Sequence, residues 1–300
     1  MNTFLSRASG TPAYSHAIDF DALQSRFDIL IDELSTQPFS ANALSSALAG
    51  GVNEAAAILR AIPIQEGRLL ERGIGIIASL NPDLVVLAHN LRLPVTKTAL
   101  ELVEKNDPKH FRSLTLDADT GGRKTYTPDL ILLNRKTKVG HVIDVKRSLG
   151  SYEVSRINEL KSRMLAAALV VPDLLYREHR RLVVEEVRVV ILNAENQRSD
   201  IDGGVWPLRD LDHLLEVIGA GTAIGMLRER FHARIDDNWR TARGGYVGQV
   251  QPDGRAADNI ADAPKDGSSG PVDVRSPEDC KVDYGQIRVG FARSPRTGTG

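Results

Sequence analysis

The hydrophobic pattern of the chain changes period several times, and each change marks an element. Residues 1–18 show no sustained period and read as a loose arm. From 19 to 34, Phe20, Leu23, Phe27, Leu30, Ile31 and Leu34 recur at helical spacing, which predicts an amphipathic helix. Residues 40–48 and 52–62 predict two shorter helices on either side of Gly50-Gly51. A stronger helix is predicted over 65–80, where Leu69, Leu70, Ile74, Ile77 and Leu80 form the apolar stripe. Residues 81–106 read as an insertion ending in a helix over 95–104, with Pro94 suited to its start.

The period then shortens. Residues 111–117 alternate apolar and polar, and residues 126–133 and 139–147 are short apolar runs rich in β-branched residues, so three strands in series are expected. Asn134 opens the polar turn between the second and third. A helix over 152–170, ended by Pro172, leads to another β-branched strand over 182–192. Closing helices are expected over 208–217 and 223–231, with the glycines from Gly219 to Gly225 as the turn between them. They lack the GxGxxG spacing of a dinucleotide loop and do not follow a strand. From 244 to 300 the chain is rich in Gly, Pro, Asp and Ser and reads as a disordered tail.

With 300 residues and 42% hydrophobic content the chain can bury a sizeable core. The single cysteine, Cys280, rules out an internal disulfide framework and suits a reducing, cytoplasmic setting. No apolar run is long enough to span a membrane. The net charge of −1 gives no global polyanion signal, yet residues 123–181 hold thirteen basic against six acidic side chains. A basic segment around buried acids suits a polyanionic substrate, although for each residue singly a solvated face explains the charge as well.

The chemistry concentrates on the second and third strands. Pro128-Asp129 opens one, and Asp144-Val145-Lys146 closes the other. Side chains alternate faces along a strand, so Asp144 and Lys146 share a face and Val145 takes the opposite one. Two carboxylates and an ammonium on neighbouring strands suit a divalent cation and a water beside a phosphate. The plain alternatives are a turn-capping Asp129 and a surface ion pair of Asp144 with Lys146. On the helix over 65–80, Glu71 stands between Gly67 and Gly75, one turn away on each side. Glycine is costly inside a helix, and this column predicts a close approach there. Glu66 is the second choice on that helix. His141 is read as a packing or hydrogen-bonding residue.

Pro128-Asp129 followed by Asp144-Val145-Lys146 resembles the PD-(D/E)XK nuclease superfamily. The order helix, three strands, helix, strand is similar to that family's core, and the DxK motif falls at the end of the third strand, as it does there. The resemblance covers about half of the chain. It implies an α/β fold with a restriction-endonuclease-like core over residues 61–235, a helical N-terminal arm or cap over 1–60 and the tail over 244–300. It also implies a Mg²⁺-dependent nuclease acting on DNA, with Mn²⁺ as a substitute. Asp129, Asp144, Glu71 and the Val145 carbonyl would be the metal ligands, and Lys146 would act on the water or the charged transition state. Lys124, Arg147, Arg156, Lys161 and Arg163 are the candidate DNA contacts. The N-terminal helices offer a surface for a second copy of the chain or a protein partner. The QxxxY pair of some relatives is missing; Tyr152 and Arg156 stand in its place. A non-catalytic nucleic-acid-binding or regulatory module of the same fold, and an unrelated α/β protein-interaction domain, are the alternative readings.

Overall fold

The computed structural model describes residues 14–36, 38–87, 91–106, 111, 115–117, 124–150, 152–179, 181–195, 199–249 and 288–292. After a two-residue strand β1 (His16–Ala17), three helices follow: α1 (Phe20–Ser35), α2 (Ala41–Gly50) and α3 (Val52–Ala78). Then come β2 (Leu84–Leu87), β3 (Leu93–Val95), α4 (Lys97–Lys105), β4 (Lys124–Tyr126), β5 (Leu130–Asn134) and β6 (Val139–Lys146). Helices α5 (Val154–Ala168) and α6 (Val171–Glu178) lead to β7 (Glu186–Asn193) and β8 (Val205–Pro207). The chain continues through α7 (Leu211–Leu215), β9 (Val217–Ile218), α8 (Ala220–Gln249) and β10 (Arg288–Phe291).

Local chemistry sets several of these boundaries. The Asp19 carboxylate accepts the Asp21 and Ala22 N–H groups and caps α1. Ser40 caps α2 through Ala43, and Thr96 caps α4 through Ala99. Asn134 Oδ1 accepts the Lys136 and Thr137 N–H groups at 2.9 and 3.0 Å, which closes the turn from β5 to β6.

The main sheet is mixed, in the order β10-β7-β6-β5-β2, and β8 also lies on β7. Strands β2, β5 and β6 are antiparallel neighbours, and β7 runs parallel to β6. Both faces are covered, so β5 and β6 read as nearly unbroken apolar runs. Leu130, Leu132, Ile143, Val145, Val190 and Leu192 face one core with α1, α3 and α8. Ile131, Leu133, Val142, Val189 and Ile191 face the other, with α5 and α6. The small sheets β1-β9 and β3-β4 lie outside this layer. No helix among the described residues is long and apolar enough to cross a membrane.

The structure departs from the sequence pattern in several places, among them β1 inside the expected loose arm and α6, which Pro172 starts where only a helix end is expected. Residues 52–62 and 65–80 are one helix, α3, which continues through Pro63; packing of Ile58, Ile62, Leu69, Leu70 and Ile74 against the core holds both halves in line. The first strand of the meander is β2, not residues 111–117. The Leu116 N–H donates to the Leu169 carbonyl rather than to a strand, and residues 112–114 lie outside the described residues. The last helix is far longer than 223–231, because α2 packs along it: Asn238 Nδ2 donates to the Phe39 carbonyl and Ser45 Oγ to that of Ala242. Within 244–300, residues 244–249 continue α8 and 288–291 form β10, while 250–287 and 293–300 lie outside the described residues.

Candidate active site

The register of β5 and β6 brings the two aspartates together. The pairing ends at Leu130 and Ile143, which brings Asp129, the residue before β5, to the end of β6, where the charge of Asp144 acts on it. The Asp129 N–H donates to the Ile143 carbonyl at 3.1 Å, and its Oδ2 accepts the Val145 N–H at 2.6 Å. Carbonyls on alternate residues of a strand point to the same side. The Val145 carbonyl therefore faces the Asp129 side, as the Ile143 carbonyl does.

Asp144 is 4% exposed. Its Oδ2 accepts the Tyr126 hydroxyl at 2.8 Å, and its Oδ1 forms an ion pair with Lys146 Nζ. Tyr126 comes from β4, so the small β3-β4 sheet reaches over the site and fixes this carboxylate. Burial and then the Asp144 charge hold the Tyr126 hydroxyl protonated, as a donor. Burial works against the Lys146 charge, but Asp144 and Asp129 outweigh it, so the side chain is an ammonium.

Glu71, in the sixth turn of α3, completes the group. Burial first, then the charge of Asp129, pushes its pKa up to about 7; Asp144 adds to the rise and Lys146 opposes it. Asp129 is pushed up to about 6 by burial and by Asp144, against the Val145 N–H and Lys146. The space flanking Glu71 is open: a Cβ on Gly67 or Gly75 would meet nothing within 4 Å. The glycine column is therefore not matched by the close backbone approach that the sequence suggests.

Three carboxylates face one ammonium here, and the strain shows in the raised pKa values. A divalent cation fits this donor set, because hard oxygens carrying excess negative charge are what Mg²⁺ takes. Among the described residues no three His, Cys, Asp or Glu side chains stand as a finished ligand shell; Asp144 is turned onto Tyr126 and Lys146, and Asp129 onto the Val145 N–H.

The raised values have a consequence for stability. Glu71 and Asp129 hold protons more tightly folded than unfolded, so the folded chain carries excess protons between about pH 4 and about pH 7. Stability from this pair is present at the acid end and is lost as pH rises through that window, the reverse of an ordinary salt-bridged aspartate. Asp129→Asn keeps an acceptor for Val145 and removes the repulsion. In EDTA it is expected to raise the thermal midpoint at neutral pH by a few degrees, about 1 kcal/mol after allowance for solvent screening, and to have a smaller effect near pH 4. A variant less stable than the parent at neutral pH would show that the carboxylates do not repel.

The candidate DNA contacts divide. Lys124 and Arg156 are exposed, and Arg163 is exposed while paired with Glu159 at 2.6 Å. Arg163 is also near enough to Tyr126 to act on its ionisation. Arg147 is half-exposed at the edge of the site. Lys161 is turned away: it is 15% exposed, 3.6 Å from Asp200, with its ammonium 5.5 Å from the centre of the Phe291 ring. Glu66 does not join the carboxylates. It lies 2% exposed against Arg228, with Nε donating to Oε1 at 2.5 Å. His141 is on the opposite face from Asp144 and lines a cavity of about 160 Å³ with Arg188, His213 and Glu216. Burial and Arg188 push it down to about 3, so it is neutral. Reading the sequence missed Tyr126, Arg228 and His232. Tyr126 was findable, two residues before Pro128 in a strand; the α8 pair carries no local signal.

Compared with family models, with curated proteins and with solved structures, the chain matches none.

Proposed function

We propose that the chain is a divalent-metal-dependent nuclease that hydrolyses DNA phosphodiester bonds, with a core of the restriction-endonuclease type. The observation that carries this reading is the convergence of Asp129 and Asp144 at the adjoining ends of β5 and β6, with Lys146 paired to Asp144 and Glu71 within electrostatic reach. The order α3, antiparallel β2-β5-β6, α5, parallel β7 supports it, because the PD-(D/E)XK resemblance implies that succession.

Asp129, Asp144, Glu71 and the Val145 carbonyl would hold Mg²⁺ or Mn²⁺. The metal supplies charge neutralisation at the phosphate and a water of lowered pKa. The chain's own residues do the rest. Tyr126 and the Val145 N–H each hold one oxygen of Asp144 and Asp129, so a cation would draw on the other oxygens, with Asp144 turning from Lys146 to meet it. Lys146 is held charged, which makes it a hydrogen-bond donor to a phosphate oxygen or to the attacking water rather than a base.

Linear duplex, single-stranded, supercoiled and branched DNA, incubated with Mg²⁺, Mn²⁺ or EDTA, test the reading. Cleavage is expected with either metal and none with EDTA. Failure of the wild type to cut any of these, with DNA binding kept, would favour the non-catalytic module. Neither cutting nor binding would favour the protein-interaction domain.

A further inference from the structure

Glu66 is buried beside the site yet takes no part in the carboxylate group. Besides Arg228, it stands 3.4 Å from His232 Nε2 and 4.0 Å from Arg147 Nε. Arg228 also donates to the Ala194 carbonyl at 3.1 Å, and the Ala194 N–H donates to the Lys146 carbonyl at 2.9 Å. One carboxylate therefore gathers two guanidinium groups and an imidazole from the end of β6 and from successive turns of α8. Burial works to raise the Glu66 pKa, but hydrogen bonds from His232 and Arg228 outweigh it and keep the group ionised.

The arrangement has a buried side and a wet side. Glu66 neutralises one positive charge from below, while Arg147 and His232 remain 45% and 44% exposed. Two of its three partners, Arg147 and His232, stand half in water at 4.0 and 3.4 Å from the carboxylate, where they can still reach a ligand at the surface. Arg147 directly follows Lys146, so the two point to opposite faces of the sheet at the same strand end. A polyanionic strand bound at Lys146 and crossing that end meets Arg147 next.

We propose that Arg147, Arg228 and His232, gathered by Glu66, form a seat for the phosphate adjacent to the one that is cut. This rests on the nuclease reading and extends it: the substrate is a strand that continues past the scissile bond, not an isolated phosphodiester. Arg147 and His232 touch the phosphate; Glu66 and Arg228 are positioning residues.

Oligonucleotides carrying one uncharged methylphosphonate, placed one or two positions to either side of the cut, provide the test. For the wild type, one of these positions is expected to raise KM about tenfold with kcat little changed, the loss of one charge-assisted contact. Arg147→Ala and His232→Ala should raise KM similarly on ordinary DNA and be insensitive to that methylphosphonate. Arg147→Lys should recover part of the loss. DNA binding in Ca²⁺ should lose about one unit of salt slope in Arg147→Ala. Wild-type cutting with KM and salt slope unaltered in both alanine variants would overturn the seat and leave the nuclease reading standing. Failure of the wild type to cut would overturn the nuclease reading. The salt slope in Ca²⁺ would then still decide the seat, an unchanged slope removing it.

Discussion

Asp144→Asn is expected to lower Mg²⁺-dependent cleavage by about 10³-fold while the fold stands. Loss of one preorganised charge in a dry site costs about 10²–10³ in rate, and on the proposed reading the change would also take a charge from the metal's ligands. The asparagine keeps an acceptor for the Tyr126 hydroxyl, so the local packing survives. Lys146→Ala should fall by about 10²-fold or more, since the lost ammonium is a single donor. Single-turnover cleavage beside a melting curve separates chemistry from folding. A rate within tenfold of the parent for Asp144→Asn would remove this carboxylate from the reaction.

The largest expected loss of stability comes from a single methyl group, in Gly221→Ala. A Cβ on Gly221 would lie 2.3 Å from the Arg209 carbonyl oxygen and 2.8 Å from its carbon, so backbone must move. Neither partner is free to retreat. Asp212 accepts the Gly219 and Gly221 N–H groups at 2.7 Å each and pins the start of α8. Leu215, Val217, Ala220, Ala223 and Ile224 are fully buried around it. Overpacking of this kind costs about 3 kcal/mol, a fall in Tm of about 6–12 °C for a chain of this size. Because α8 also carries Arg228 and His232, DNA binding should weaken with it. Urea or thermal denaturation checks this; a Tm within 2 °C of the parent, about the smallest shift that 1 kcal/mol gives, would show that the helix start is more compliant than the contact implies.

What could be read from the sequence follows from how local each signal is. The chain has four Pro-Asp pairs, at Pro82, Pro128, Pro172 and Pro252. Only the one at Pro128 opens an apolar run that a turn joins to a second run ending in an aspartate and a lysine of like parity. Strand parity alone then put Asp144 and Lys146 on one face, and the structure agrees. The first strand is hard to place because residues 84–87 are four apolar residues in a row with no alternation, whereas 111–117 alternate, yet the Leu116 N–H goes to the Leu169 carbonyl after α5. Choosing between Glu66 and Glu71 was beyond local pattern. Both lie on one helix, and what separates them is Arg228 and His232, more than 160 residues away in the chain. Lys161 illustrates the same point: its partners Asp200 and Phe291 are supplied by distant segments, so a residue that looks like a solvent-facing cation is largely covered.

Strand β10 has a consequence for how the chain is made. It pairs in parallel with Glu186–Val189 of β7, and its Phe291 ring fills the space that a side chain on Gly204 would need. The segment that covers this edge is synthesised roughly a hundred residues after the edge itself, so at ordinary translation rates the N-terminal half of β7 emerges from the ribosome about 5–20 s before its partner does. During that interval a row of unpaired peptide groups flanked by Val187, Val189 and Val190 is open to pairing with another nascent chain. The yield of folded protein should therefore depend on crowding among polysomes and on chaperone supply more than on the final stability of the sheet.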